Sequence, residues 1–85
     1  MFTVHKYPFT IQDEILILMP EGAEVLLVEC QSYVPCIWVK VKVKSDKSVE
    51  RRFFITGTGH PTVKPSYKHV ASFQQTPYVW HIWEE

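Results

Sequence analysis

Six prolines, at positions 8, 20, 35, 61, 65 and 77, cut this chain into short pieces. Proline inside a helix removes a backbone hydrogen bond and clashes with the preceding turn, at a cost of about 3 kcal/mol, so long helices are not expected. Between the prolines the apolar residues recur with the period of a strand. Ile37, Val39, Val41 and Val43 fall on one face of residues 37–44, and Trp38, Lys40, Lys42 and Lys44 fall on the other. Residues 2–7, 14–19, 24–31, 51–56, 68–75 and 78–83 read as further strands. A short amphipathic helix competes over residues 21–31, but Pro20-Glu21-Gly22 reads as a turn and Val25 to Val28 as a buried strand. The expected fold is all-β: one domain over residues 1–85, a compact antiparallel sheet, sandwich or open barrel of about seven short strands.

The connections carry their own signals. Ser45-Asp46-Lys47-Ser48 is a short polar loop, which predicts an antiparallel hairpin between residues 36–44 and 50–57. Gln75-Thr76-Pro77 separates the last two strands. Residues 57–66 form the one long stretch dense in Gly and Pro, and loops of that length in small domains tend to be functional.

Charge and hydropathy remove several function classes. Nine Lys and Arg balance nine Asp and Glu, whereas coating a nucleic-acid polymer needs a cationic excess, so no polymer partner is expected. At 46% hydrophobic the chain is too apolar to stay disordered, and its aliphatic runs are too short to span a membrane as a helix. The first residues carry neither the basic nor the apolar region of a signal peptide, so a reducing cytoplasm is expected, with Cys30 and Cys36 as packing thiols. The two can also face each other across a turn as a redox pair. His5, His60, His69 and His81 offer no metal-ligand spacing, so neither metal nor cofactor is expected. A domain of this size buries only about 60% of its unfolded surface, which makes assistance from oligomerisation attractive.

Three constellations stand out. Gly57-Thr58-Gly59-His60-Pro61 offers positive φ, exposed backbone N–H groups and an imidazole, either as turn chemistry or as an anion cradle. Lys6 and Tyr7 combine a phosphate contact with a stacking face, or are a surface Lys beside a half-buried aromatic. Arg51 and Arg52 point to opposite faces, so only one can serve a given site. The third is Tyr78 to Trp83, where both faces of a terminal strand are apolar: Tyr78, Trp80 and Ile82 on one, Val79, His81 and Trp83 on the other. That favours a subunit interface or a stacked ligand beside ordinary core burial. A phosphodiesterase using His60 with His81 or His5 is chemically conceivable, but nothing in the spacing brings those residues together, and the chain is not read as an enzyme.

Taken in order, His5-Lys6-Tyr7-Pro8-Phe9, Met19-Pro20-Glu21-Gly22-Ala23, Val34-Pro35-Cys36-Ile37-Trp38, Gly57-Thr58-Gly59-His60-Pro61 and Val79-Trp80-His81 resemble a widespread family of small phage proteins over nearly the whole chain. The pattern looks like that of viral sponge proteins, which capture the cyclic nucleotide signals of bacterial anti-phage defence such as CBASS. Residues 40–50 depart from it, so ligand preference cannot be carried over there. The resemblance implies sequestration of a cyclic dinucleotide or related signal in the cytoplasm of the infected host without cleavage, and the small core with the two-faced aromatic strand at 78–83 adds the expectation of a homo-oligomer, dimer or tetramer. Combined with the residue chemistry, it makes Tyr7, Trp38 and Trp80 stacking walls, Lys6 and Arg52 phosphate charges, and Gly57, Thr58, Gly59 and His60 hydrogen-bond donors. The alternative is a phage module that clamps a host protein, or a minor virion component, through the same aromatic surface.

Overall fold

The computed structural model describes residues 1–85. It contains seven strands and no helix: β1 (Phe2–Pro8), β2 (Glu14–Pro20), β3 (Glu24–Gln31), β4 (Val34–Lys42), β5 (Ser48–Gly57), β6 (Lys68–Gln75) and β7 (Tyr78–Glu84). They form two antiparallel sheets in a sandwich-like arrangement, one ordered β1-β4-β3 and the other β2-β5-β7-β6. The alternation in β4 works as its sequence dictates. Ile37, Val39 and Val41 are buried on the inner face, while Trp38, Lys40 and Lys42 face outward. From the other sheet Ile15, Met19, Phe53, Ile55, Phe73 and Ile82 complete the core, and Phe9, just past β1, meets the Phe73 ring edge-on at 5.9 Å.

Two expectations are corrected. Residues 36–44 and 50–57 do not form a hairpin: β1 and β3 occupy both edges of β4, and β5 crosses into the other sheet between β2 and β7. The polar loop is a corner rather than a hairpin turn, held where Glu21 N–H donates to Lys47 C=O (2.9 Å). Nor do Cys30 and Cys36 face each other. Cys30 lies opposite Pro35 and Cys36 opposite Glu29, which puts the two thiols on opposite faces of the sheet. Both are free, and Cys30 has its pKa raised, first by burial and then by Cys36 and Glu29.

The strand at the end of the sequence is not at the edge of the sheet. β7 runs between β5 and β6, so Trp80 turns into the core side and Trp83, on the outer face, donates its indole N–H to Thr56 Oγ1 (3.0 Å) under the edge of the His69 ring. The chain itself thus half-buries both tryptophans.

Edges and turns determine what remains open. β3 and β6 run alongside each other, and their hairpin turns are clasped: Tyr33 O–H donates to Thr76 C=O (3.0 Å) and Gln75 Nε2 donates to Tyr33 C=O (3.3 Å). That clasp supports a tight two-residue turn in which Ser32 and Tyr33 both have positive φ, a costly conformation for residues with side chains. β1 and β2 are the remaining edges.

Candidate functional site

At one end of the four-stranded sheet, β5 outruns its neighbour. β2 starts at Glu14, opposite Phe54, and the preceding Asp13 C=O takes the Ile55 N–H at 3.1 Å. Beyond that point Thr56 and Gly57 have β7 on one side and a cleft of about 590 Å³ on the other. Ile11 and Asp13 line one wall, Pro61 and Val63 another, and His60 and Trp80 contribute their rings. The volume lies in the range of small-molecule sites.

The Gly-Thr-Gly sequence shapes this cleft in two ways. Gly59 takes φ +85° at the third position of a turn closed by His60 N–H donating to Gly57 C=O (3.1 Å), a backbone that a side chain resists. Gly57 is required by close approach. A Cβ there would lie 2.9 Å from His60 Nδ1 and 3.2 Å from the Trp80 ring, so the glycine lets imidazole and indole each close in on bare backbone. The ladder sends the Gly57 N–H and C=O away from β7, toward the cleft.

The residues expected to bind ligand fall in four places. Gly57, His60 and Trp80 come together in the cleft, with Thr58 and Gly59 in the adjoining turn. Lys6 and Trp38 sit opposite each other on the outer face of the three-stranded sheet, where Lys6 Nζ donates to Gln31 Oε1 (2.7 Å). Tyr7, their neighbour, turns to the inner face, with its hydroxyl 3.4 Å from His5 Nδ1. Arg52 lies on the outer face of the other sheet between Glu14 (2.9 Å) and Glu85 (3.7 Å). Arg51 does point to the opposite face. It makes a two-pronged contact with Glu84 (2.6 and 2.8 Å) and donates to Ala23 C=O (2.6 Å), and the hydrogen bonds to Glu84 raise its pKa. The cleft thus has aromatic and imidazole walls but no Lys or Arg.

A second cluster escaped the sequence reading. On the outer face of β6 and β7, Ser72 Oγ lies 2.7 Å from His81 Nδ1 and 3.0 Å from His69 Nε2, and His81 Nε2 lies 2.9 Å from Thr58 Oγ1. Because Val79 C=O can only accept, the Thr58 hydroxyl donates to it (3.4 Å), which assigns a direction to the whole row. His81 Nε2–H donates to Thr58, Ser72 O–H donates to His81 Nδ1, and His69 Nε2–H donates to Ser72. The signal was present in the sequence: a turn at Thr76-Pro77 makes Gln75 face Tyr78 and, counting back, Ser72 face His81. A serine beside an imidazole resembles an activated nucleophile, but the group orienting the base here is a neutral hydroxyl rather than a carboxylate. The row fastens the β5–β6 loop to the sheet through Thr58.

One family model matches this chain, over residues 1–85, its full described length. The chain belongs to DUF7352, a domain of unknown function. No curated protein and no solved structure matches it. The DUF7352 match covers the cleft, the clasped turns and both open edges alike.

Proposed function

We propose that this DUF7352 protein is a non-catalytic binding protein that sequesters a cyclic nucleotide signal, acting as an anti-defence sponge in the cytoplasm of an infected bacterium. The observation that carries the reading is the close approach of both His60 and Trp80 to the bare Gly57 backbone, in a cleft large enough for a nucleotide. An indole face suits a base, and base stacking on an aromatic contributes about 1–3 kcal/mol per base. The imidazole and the Gly57 N–H are donors for a phosphate oxygen. A Kd near 1 nM needs about 12 kcal/mol, more than one stacked base and two donors contribute, so a homo-oligomer in which further groups enclose the ligand is part of the proposal. Lys6 and Arg52, exposed on the outer faces, are the cations from which a second subunit would complete the site.

Calorimetry against cyclic dinucleotides, cyclic trinucleotides and cyclic isomers of ADP-ribose tests this directly. Stoichiometric binding by one class, with intact ligand recovered after heat denaturation, is the expected result. Recovery of linear nucleotide would mean hydrolysis and sink the sequestration reading; absence of binding across the panel would sink the ligand. Gly57→Ala should weaken binding about tenfold, equivalent to 1.4 kcal/mol, because its methyl group displaces the His60 ring.

A further inference from the structure

We propose that two copies of this chain join through β2, strand against strand about a two-fold axis, so that the four-stranded sheets fuse into one continuous sheet. The proposal rests on the oligomeric half of the reading above and not on its ligand.

The four sheet edges are not equivalent. β3 and β6 lie beside each other and each carries a bulge, between Val25 and Leu27 and between His69 and Ala71. β1 is guarded by His5 and Lys6. A lysine on an edge, a bulge and a covered edge are the usual devices against strand addition. β2, Glu14–Pro20, has none of these between its first and last residues: Ile15 to Met19 is an unbroken aliphatic run. Its outward residues Leu16 and Leu18 are 49% and 64% exposed in the single subunit.

Backbone geometry says what fits there. Asp13 C=O and Glu21 N–H both engage the β5 side, so the odd-numbered residues of β2 bond to β5 and the N–H and C=O groups of Leu16 and Leu18 face the open edge. An antiparallel copy keeps the pleat continuous only if outward residues meet outward residues. Placing Leu16 opposite the partner's Leu18 lets each such pair exchange two backbone hydrogen bonds, sets Ile17 against the partner's Ile17 on the axis, and matches Ile15 with the partner's Met19. Shifting one way sets Glu14 against a leucine. Shifting the other sets Leu16 against Pro20, which lacks an N–H and whose C=O is already taken by Ala23 N–H at 3.2 Å. Only the central register pairs every residue of the run Ile15 to Met19 with another residue of that run. A self-matching run without charge from Ile15 to Met19 suits a second copy of itself better than an arbitrary peptide, and it extends the buried Ile15 and Met19 row across the axis.

Sedimentation of the ligand-free protein should give a dimer that dissociates in Leu16→Pro. That proline removes only an edge-facing N–H, so circular dichroism should stay that of the wild type. Leu18→Lys, which keeps every backbone donor, should dissociate the dimer as well. Val4→Pro, the equivalent change on the edge of β1, should leave it intact. Ile17→Cys should give a covalent dimer on mild oxidation and Ile15→Cys should not, since residues facing each other on the axis in a non-hydrogen-bonded pair have Cα atoms about 4.5 Å apart, within disulfide reach. A wild-type monomer at every concentration, or a Leu18→Lys dimer, overturns the proposal; dissociation by Val4→Pro moves the interface to β1 and also overturns it. Cross-linking through Ile15→Cys instead of Ile17→Cys overturns the register. Because no nucleotide is present, a failed ligand panel leaves each of these outcomes readable.

Discussion

β1 and β2 look interchangeable on paper. Each is a seven-residue edge strand that ends in a proline, and in each the odd-numbered residues bond to the inner neighbour while the even-numbered ones face the open edge. Pro8 and Pro20 therefore both sit where no ladder hydrogen bond is lost. The strands differ in what their side chains do. On β2 the inward residues Ile15, Ile17 and Met19 belong to the core or pack against it, and Met19 is 1% exposed. On β1 the inward Thr3 and His5 are as exposed as the outward Phe2, Val4 and Lys6, and only Tyr7 packs against the core. β2 is attached by burial and hydrogen bonding together. β1 is attached almost wholly by its backbone ladder to β4.

The largest effects should come from testing that difference at matching positions. Met19→Ala should destabilise the fold by about 2–5 kcal/mol in urea titrations, through lost burial and the cavity left behind. His5→Ala, also inward-facing, should stay within about 0.5 kcal/mol. Comparable losses would mean that β1 is packed in solution as β2 is. Next in size are proline substitutions along β1 itself. Thr3 bonds to β4 opposite Val41, so Thr3→Pro should cost about 1–3 kcal/mol by leaving a Val41 carbonyl without its donor. Val4→Pro should be nearly neutral, because its N–H faces the open edge. Equal costs at positions 3 and 4 would show that the β1 edge is already paired with something.

A smaller effect separates the two edges by charge. Lys6→Val removes the lysine that guards β1, so it should raise concentration-dependent association, seen in light scattering, with little change in the unfolding midpoint. If scattering does not change, Lys6 is not what protects this edge.

The contrast also shows what the sequence made legible. Period-two alternation gave the number of strands and the facing of β4 correctly, because which way a side chain points is a local property of the pleat. Pairing is not local. Residues 36–44 and 50–57 have every hairpin signal around Ser45-Asp46-Lys47, yet β4 has no free edge, since β1 and β3 take both. Likewise the two apolar faces of residues 78–83 called for something to cover the terminal strand, and sequence order did not show that β5 and β6 would flank it on both sides. At the site, Gly57, His60 and Trp80 converge because residues 57–60 form one turn and β7 pairs directly with β5 at Gly57 and Trp80. Lys6, Trp38 and Arg52 were singled out by residue chemistry and resemblance, and neither carries information about which sheet face a strand presents.

The smallest expected effect concerns an anomaly of the weakly attached sheet. By alternation Cys36 faces outward with Trp38, yet it is only 2% exposed. On β1, Lys6 lies opposite Trp38, and on β3, Gln31 lies opposite Val34, so the Lys6 to Gln31 hydrogen bond must pass over the central strand beside Cys36. A single exposed side-chain bond of this kind contributes at most about 0.5–1 kcal/mol, and Gln31→Ala should shift stability by no more than that. Its signature is chemical instead. Once the bridge is removed, the Cys36 thiol should react faster with an aromatic disulfide reagent, while the rate at Cys30, on the opposite face, stays as it was. If both thiols accelerate together, the sheet is opening as a whole, and β1 is held more loosely than its ladder to β4 implies.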